Sequence, residues 1–142
     1  MKLVKHLLDR KGRRIFAVKP DDSVLEAIRV MAEKNIGAVA VMQDDKLVGI
    51  MSERDYARKV IVKGRASDKT PVADIMTSEV LTTSNSETVN DCMEMMTDRK
   101  IRHLPVVEEG TVVGMISIGD LVEAIIADQQ EEIEQLEHYI SG

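Results

Sequence analysis

Apolar residues change their spacing several times along this chain, and each change marks an element. Leu3, Leu7 and Leu8 lie at helical spacing, so residues 2–9 read as a short amphipathic helix. Lys11-Gly12-Arg13-Arg14 interrupts it before an apolar stretch, Ile15 to Val18, that reads as a short strand. Pro20-Asp21-Asp22-Ser23 is a helix start, with Ser23 as N-cap and Glu26 closing a capping box. Val24, Ala27, Ile28, Met31 and Ala32 then keep a 3.6-residue period to about Lys34. Asn35-Ile36-Gly37 turns the chain into Ala38 to Met42, a continuous apolar run typical of a buried strand. Gln43 to Lys46 reads as a turn and Leu47 to Met51 as the second arm of a hairpin. Ser52 caps a helix predicted to reach about Val62.

The same order then returns. Residues 15–61 recur without a gap 65 positions later, at 80–126. Gly49 to Asp55 falls on Gly114 to Asp120, and Val24, Ile36, Val41 and Val48 fall on Val89, Ile101, Val106 and Val113. The second copy therefore predicts strand 79–82, helix 87–99, strand 104–107, a turn at Glu109-Gly110, strand 111–116 and helix 118–127. Self-similarity of this kind means two copies of one supersecondary unit. The expected fold is α+β: two β-α-β-β-α repeats about a pseudo-two-fold axis, with short N- and C-terminal helices and two similar clefts between the copies. The expected boundaries are a lead-in at 1–14, a first repeat at 15–63, a linker at 64–78, a second repeat at 79–127 and a helical tail at 128–142. Within the linker, Val72, Ile75 and Met76 suit one inward-facing helical turn. The tail sets Ile133, Leu136 and Ile140 on one stripe among glutamates, which suits docking on the body or on a second subunit.

Composition narrows the function. At 142 residues the chain suits one cooperative unit, since each repeat alone would be marginal. The net charge of −6 disfavours nucleic acid, and one Phe and two Tyr with no Trp remove the stacking platforms of single-strand binders. No apolar run has the length to span a bilayer, and the N-terminal residues, Met1 onward, lack the pattern of a signal peptide. The single Cys92 fits a reducing cytoplasm. It shares helical periodicity with Met95 and Met96 and reads as a buried, inert thiol. His6, His103 and His138 show no metal-ligand spacing, and no nucleophile–base pair or phosphate loop is visible, so neither a metal site nor an enzyme is expected.

In both copies a strand ends at Gly-apolar-apolar-Ser and a helix begins, with Asp three residues after the Ser. One reading is structural: Ser52 and Asp55, or Ser117 and Asp120, cap the first turn. The other is chemical, because a strand-to-helix turn is where open α/β folds place ligands. Asp55 and Asp120 would repel a phosphate on the same amides and suit a neutral diol, as an acidic residue does for ribose. Arg54 in the first copy, and Lys100, Arg102 and His103 in the second, are the cations that could meet a phosphate.

With both motifs in view, the chain resembles a tandem pair of cystathionine-β-synthase (CBS) domains, a Bateman module, of the stand-alone bacterial type. Gly-apolar-apolar-Ser-x-x-Asp carries the match at Gly49–Asp55 and Gly114–Asp120. A second signature precedes each hairpin: Lys100-Ile101-Arg102-His103-Leu104-Pro105, and Asn35-Ile36-Gly37-Ala38-Val39-Ala40 in the first copy. The resemblance covers residues 15–127. It implies clefts for adenosine derivatives: AMP, ADP, ATP, NAD(H) or S-adenosylmethionine, with Mg2+ if the ligand is a polyphosphate. By position, Asp55 and Asp120 would hold ribose hydroxyls, with Ser52 and Ser117 beside the ribose-phosphate. Ile36, Gly37, Ala38, Ile101 and the loop residues Lys19 and Ser84 would flank adenine. Arg102-His103 is similar to the basic residues that meet phosphate in some members, whereas the first copy has Gly37-Ala38 there and Ala40 in place of the family's proline. The implied function is a cytoplasmic sensor that signals occupancy through a homodimer or an unidentified protein target. A structural dimerisation module with no physiological nucleotide is the alternative.

Overall fold

A computed structural model describes residues 2–141; Met1 and Gly142, which end the expected lead-in and tail, lie outside the described residues. In chain order the elements are α1 (Val4–Lys11), β1 (Ala17–Val18), α2 (Val24–Lys34), β2 (Ala38–Gln43), β3 (Lys46–Ser52), α3 (Glu53–Tyr56), α4 (Val89–Arg99), β4 (His103–Glu108), β5 (Thr111–Ser117) and α5 (Ile118–Ser141). Two compact units result. One holds Arg14–Leu81 with Glu109–Val112; the other holds, of the described residues, 2–13, Thr82–Glu108 and 113–141.

In the first unit the apolar run of β2 is buried from Ala38 to Val41, as a strand covered on both faces requires. β2 pairs parallel with β1 and antiparallel with β3. Asp44 and Asp45 form the two-residue turn, both at positive φ (51° and 64°), the conformation that matches the twist of a tight hairpin. Ser23 Oγ accepts from the Glu26 N–H at 3.2 Å, and Asn35 closes α2 in the left-handed region. Val24, Ala27 and Met31 of α2 pack with Val18, Val39, Val41, Met51, Val60, Val72 and Ile75 in one core. The helix expected to run to Val62 stays α-helical only to Tyr56, then widens into a π-turn over Ala57–Ile61. That turn leaves Val60 buried and Ile61 and Val62 exposed.

The second unit repeats this plan with two changes. Its first strand, expected at 79–82, is reduced to a single parallel bridge between Thr83 and Val106. The reason is Pro105. In the first copy the Ala40 N–H donates to Phe16 O at 3.1 Å; the equivalent residue, Pro105, has no N–H to give. The second change is α5, a single helix of 24 residues where a helix and a separate tail are expected. Asp128-Gln129-Gln130 contains no glycine or proline to break it.

Each unit also contains the segment that precedes the other repeat in sequence. α1 begins two residues later than expected and turns Val4, Leu7 and Leu8 into the second unit's interior. Residues 70–76 do the same in the first unit through Val72 and Ile75. The entries match: Val4 N donates to Glu87 O and Val72 N to Asp22 O, both at 2.8 Å. The repeated glycine of the first motif admits both segments. A Cβ on Gly114 would lie 2.7 Å from Leu8 Cδ2, and one on Gly49 would lie 2.6 Å from Met76 Sδ and 3.0 Å from Thr77 O.

Candidate functional site

The two Ser-x-x-Asp turns have the same construction. In the first unit the Ser52 N–H donates to Asp55 Oδ2 at 2.9 Å, and the Asp55 N–H donates to Ser52 Oγ at 3.2 Å. In the second the Ser117 N–H donates to Asp120 Oδ2 at 2.8 Å, and the Asp120 N–H to Ser117 Oγ at 3.1 Å. Each turn is thus a reciprocal cap that satisfies two amides at the head of its helix. The second motif lies against it in both copies. Glu53 N donates to Gly37 O at 3.0 Å, and Ile118 N donates to Arg102 O at 2.8 Å. Ala38 also faces Ser52 across the β2–β3 ladder. Gly37 and Ala38 are therefore brought to the Ser52–Asp55 turn, and Arg102 to the Ser117–Asp120 turn, while Ile36 packs against the first unit's core.

Each carboxylate also has a lysine, and neither lysine is among the expected site residues. Asp55, with 13% of its side chain exposed, meets Lys59 Nζ through Oδ1 at 3.1 Å, and Lys59 also donates to Ile75 O at 2.9 Å. Thr77 Oγ1 lies 3.5 Å from the same oxygen. Asp120, 20% exposed, meets Lys11 Nζ of α1 through Oδ2 at 2.5 Å, and Lys11 also donates to Met115 O at 2.6 Å. Lys59 is one helical turn after Asp55, a spacing that the sequence displays. Lys11 is 109 residues from Asp120, and no local pattern announces it.

Ile101 is half-buried between α4 and β4, and the other expected residues fall into three groups. His103 is close enough to feel both Lys11 and Asp120. Burial pushes its pKa below the ordinary 6.5 and the Lys11 ammonium adds to this, while Asp120 opposes both. It is a neutral imidazole at pH 7, able to donate a hydrogen bond but not to neutralise a phosphate. Arg54 is half-buried on α3, and Lys100 is exposed at the left-handed C-cap of α4. Lys19 and Ser84 lie in the loops before α2 and α4 and are engaged locally: Lys19 N donates to Asp22 Oδ2 at 2.8 Å, and Ser84 Oγ meets Ser86 Oγ at 3.2 Å. Cys92 is buried, 3.2 Å from Thr83 Oγ1, and burial raises its pKa, so it remains a thiol. Among the described residues no group of three or more His, Cys, Asp or Glu could hold a metal ion, and no helix is long and apolar enough to cross a membrane.

His103 gives a pH prediction. Its folded pKa lies below its unfolded one, so its contribution to stability is complete above about pH 6.5 and is lost as pH falls through that region. Melting temperature should drop between pH 7.5 and 5.5 more steeply in the parent protein than in His103→Gln. Parallel melting curves for the two would contradict this assignment.

A family model for the CBS domain matches residues 4–62 and 72–127. The Arabidopsis thaliana CBS domain-containing protein CBSX3, mitochondrial, is 43% identical over 86% of the chain, and the chain spans 62% of that protein's length. The crystal structure of the CBS domain NE2398 is 48% identical with a TM-score of 0.85, over 88% of this chain and 98% of that one. The CBS domain pair of MJ0100, solved in complex with 5'-methylthioadenosine and S-adenosyl-L-methionine, is 26% identical with a TM-score of 0.80, over 90% and 98% of the respective chains.

Proposed function

This chain belongs to the CBS-domain family as a tandem pair, and from that premise we propose that it is a regulatory sensor of adenosine-containing small molecules. The observation that carries the reading is the duplicated turn: one serine and one aspartate, held by the same reciprocal hydrogen bonds and tied to the Ile-x segment in both units. With Asp120 Oδ2 taken by the cap and Lys11, a ribose hydroxyl would meet Oδ1. At Asp55 the cap holds Oδ2 and Lys59 holds Oδ1, so a ribose hydroxyl would share Oδ1 with that lysine; Ser52 and Ser117 would lie beside the sugar. Ile36, Gly37, Ala38, Ile101, Lys19 and Ser84 would line the base, an aliphatic setting that agrees with the scarcity of aromatic residues. Arg54, Lys100 and Arg102 are the charged candidates for phosphate, with His103 as a neutral donor.

AMP, ADP, ATP and NAD(H) share the half of the molecule that these residues would read, and a polyphosphate would bring its own Mg2+. The MJ0100 complex supports an adenosine ligand in general. Occupancy would act by differential binding, shifting the helices only as far as the ligand prefers one arrangement. The setting would be cytoplasmic and the unit of action a homodimer, or a complex with a protein target. A thermal-shift screen tests the reading: a ligand at a hundredfold its dissociation constant stabilises the fold by about 2.7 kcal/mol. Absence of any shift with AMP, ATP, NADH and S-adenosylmethionine would overturn it.

A second reading, a dimerisation module with no nucleotide, is favoured by one observation. α5 exposes Val122, Ile126, Ile133, Leu136 and Ile140, which follow a heptad spacing. Under that reading the oligomeric state would change on truncating α5 while the ligand screen stays silent.

A further inference from the structure

α1 does more than fill the second unit's interior. Its polar side lines a small cavity that ends on Asp120, bounded by Lys2, His6, Arg10 and Lys11 on one side and Glu123 and Ala124 on the other. The volume is about 170 Å3. That is well below the roughly 300–1,000 Å3 of sites that enclose a whole small molecule, so it suits one group of a ligand held mainly elsewhere.

The lining sets three cationic side chains, Lys2, Arg10 and Lys11, against two carboxylates, Asp120 and Glu123. Lys11 is matched by Asp120 at 2.5 Å. Lys2 has only a long contact to Glu131, at 3.8 Å. Arg10 has no hydrogen-bond or ion-pair partner among the described residues, and its guanidinium is the planar donor best suited to an oxyanion. His6 Nδ1 accepts from the Leu3 N–H at 3.2 Å, which leaves Nε2 as the ring's donor. Glu123 is the opposing charge, so the lining favours an anion without a large excess.

The duplication supplies an internal comparison. The matching helix entries and glycine contacts put Leu3 in register with Pro71 and Leu8 with Met76, a shift of 68. On that register Lys2, His6, Arg10 and Lys11 correspond to Thr70, Asp74, Ser78 and Glu79. The segment beside Asp55 therefore carries neutral and acidic residues where the one beside Asp120 carries cations and an imidazole. Basic side chains are not a requirement of packing at these positions.

We propose that the α1 cavity receives the phosphate of a phosphorylated adenosine ligand whose ribose is held at Asp120, so that the second unit selects nucleotides over neutral nucleosides. The inference rests on the ribose reading of Asp120. Arg10 and Lys2 supply the charge, His6 donates a hydrogen bond, and Lys11 stands between the carboxylate and the phosphate. The Asp55 turn, without this cavity lining, gains no such selectivity from its lead-in segment.

NMR titrations of the full chain with AMP and with adenosine test it, using the amides of residues 117–120 and 4–11 to follow the second unit alone. AMP should bind there about tenfold to a hundredfold more tightly than adenosine, the range of one or two charge-assisted hydrogen bonds. AMP should also shift the α1 amides, which adenosine should leave in place. The Arg10→Gln Lys2→Gln variant should lose most of the preference while its adenosine affinity stays unchanged. A preference that survives in that variant overturns the inference and leaves the ribose reading intact. Affinities for both compounds that Asp120→Asn leaves unchanged would overturn the ribose reading, and the inference with it.

Discussion

The Asp55→Ala Asp120→Ala double variant should give no thermal shift with any adenosine compound that shifts the parent, a loss of about 2.7 kcal/mol at a hundredfold the parent dissociation constant. The variant also loses structure. Each aspartate accepts an N–H at its helix head, and such a cap is worth about 0.5–2 kcal/mol. Lys59 and Lys11 would lose their carboxylate partners as well. The basal melting temperature should therefore fall, and ligand effects must be read against that lower baseline. The Asn variants separate the two roles, because an amide oxygen can still accept the cap hydrogen bond while lacking the charge. A double Asn protein that melts near the parent yet binds at least tenfold more weakly would tie the carboxylates to the sugar. Unchanged affinity alongside a lowered baseline would mark both turns as caps alone.

Gly114→Ala should destabilise the protein by about 1–3 kcal/mol, the usual range for overpacking a closed interior. The added Cβ would stand 2.7 and 2.9 Å from the two methyls of Leu8, which is fully buried and has no room to rotate away. Leu8→Ala alone should cost about 2–5 kcal/mol by leaving a cavity. The two changes should not add. With Leu8 shortened, the alanine at 114 meets open space, so its cost should nearly vanish, giving a coupling of about 1 kcal/mol or more. Chemical denaturation of the four proteins in the cycle measures this, and simple additivity would refute the packing described between α1 and β5. Gly49→Ala should behave differently. Met76 is half-buried and can swing aside, but Thr77 O is fixed by its bridge to Ile50, so shortening Met76 should rescue only part of the cost.

The repeat, the two hairpins, helices α2 and α4 and the Ser–Asp turns are legible in the sequence because each depends on near neighbours. A capping serine, an apolar period and a pair of turn residues act within a few positions. The exceptions have identifiable causes. Pro105 cancels a ladder hydrogen bond, so the second repeat's opening strand shrinks to Thr83 although its apolar residues resemble those of the first. The π-turn after Tyr56 has no compositional marker in Ala57–Ile61. α5 is continuous because nothing stops it, and a change in how apolar its surface is does not end a helix.

The site divides in the same way. Ser52, Asp55, Ser117 and Asp120 are found by their spacing, and Lys59 could be, since it follows Asp55 by one turn. Gly37 and Arg102 reach the turns through backbone carbonyls, which identity alone does not reveal. His103 reads as a cation in sequence and is neutral in the fold, because burial outweighs the attraction of Asp120. Lys11 and Arg10 belong to a helix that precedes the first repeat and packs in the second unit. Only tertiary structure brings them to Asp120.

α5 starts at the Ser117–Asp120 turn and runs for 24 residues, about 36 Å at 1.5 Å per residue. From Gln129 to Ser141 every residue is exposed. A rigid rod anchored at one end acts as a lever: tilting its head by about 10° would carry its tip through roughly 6 Å, since helical rise fixes the arm's length. A displacement too small to disturb the core around Leu121 and Ala124 would thus be magnified at Tyr139 and Ile140, where another molecule could sense it.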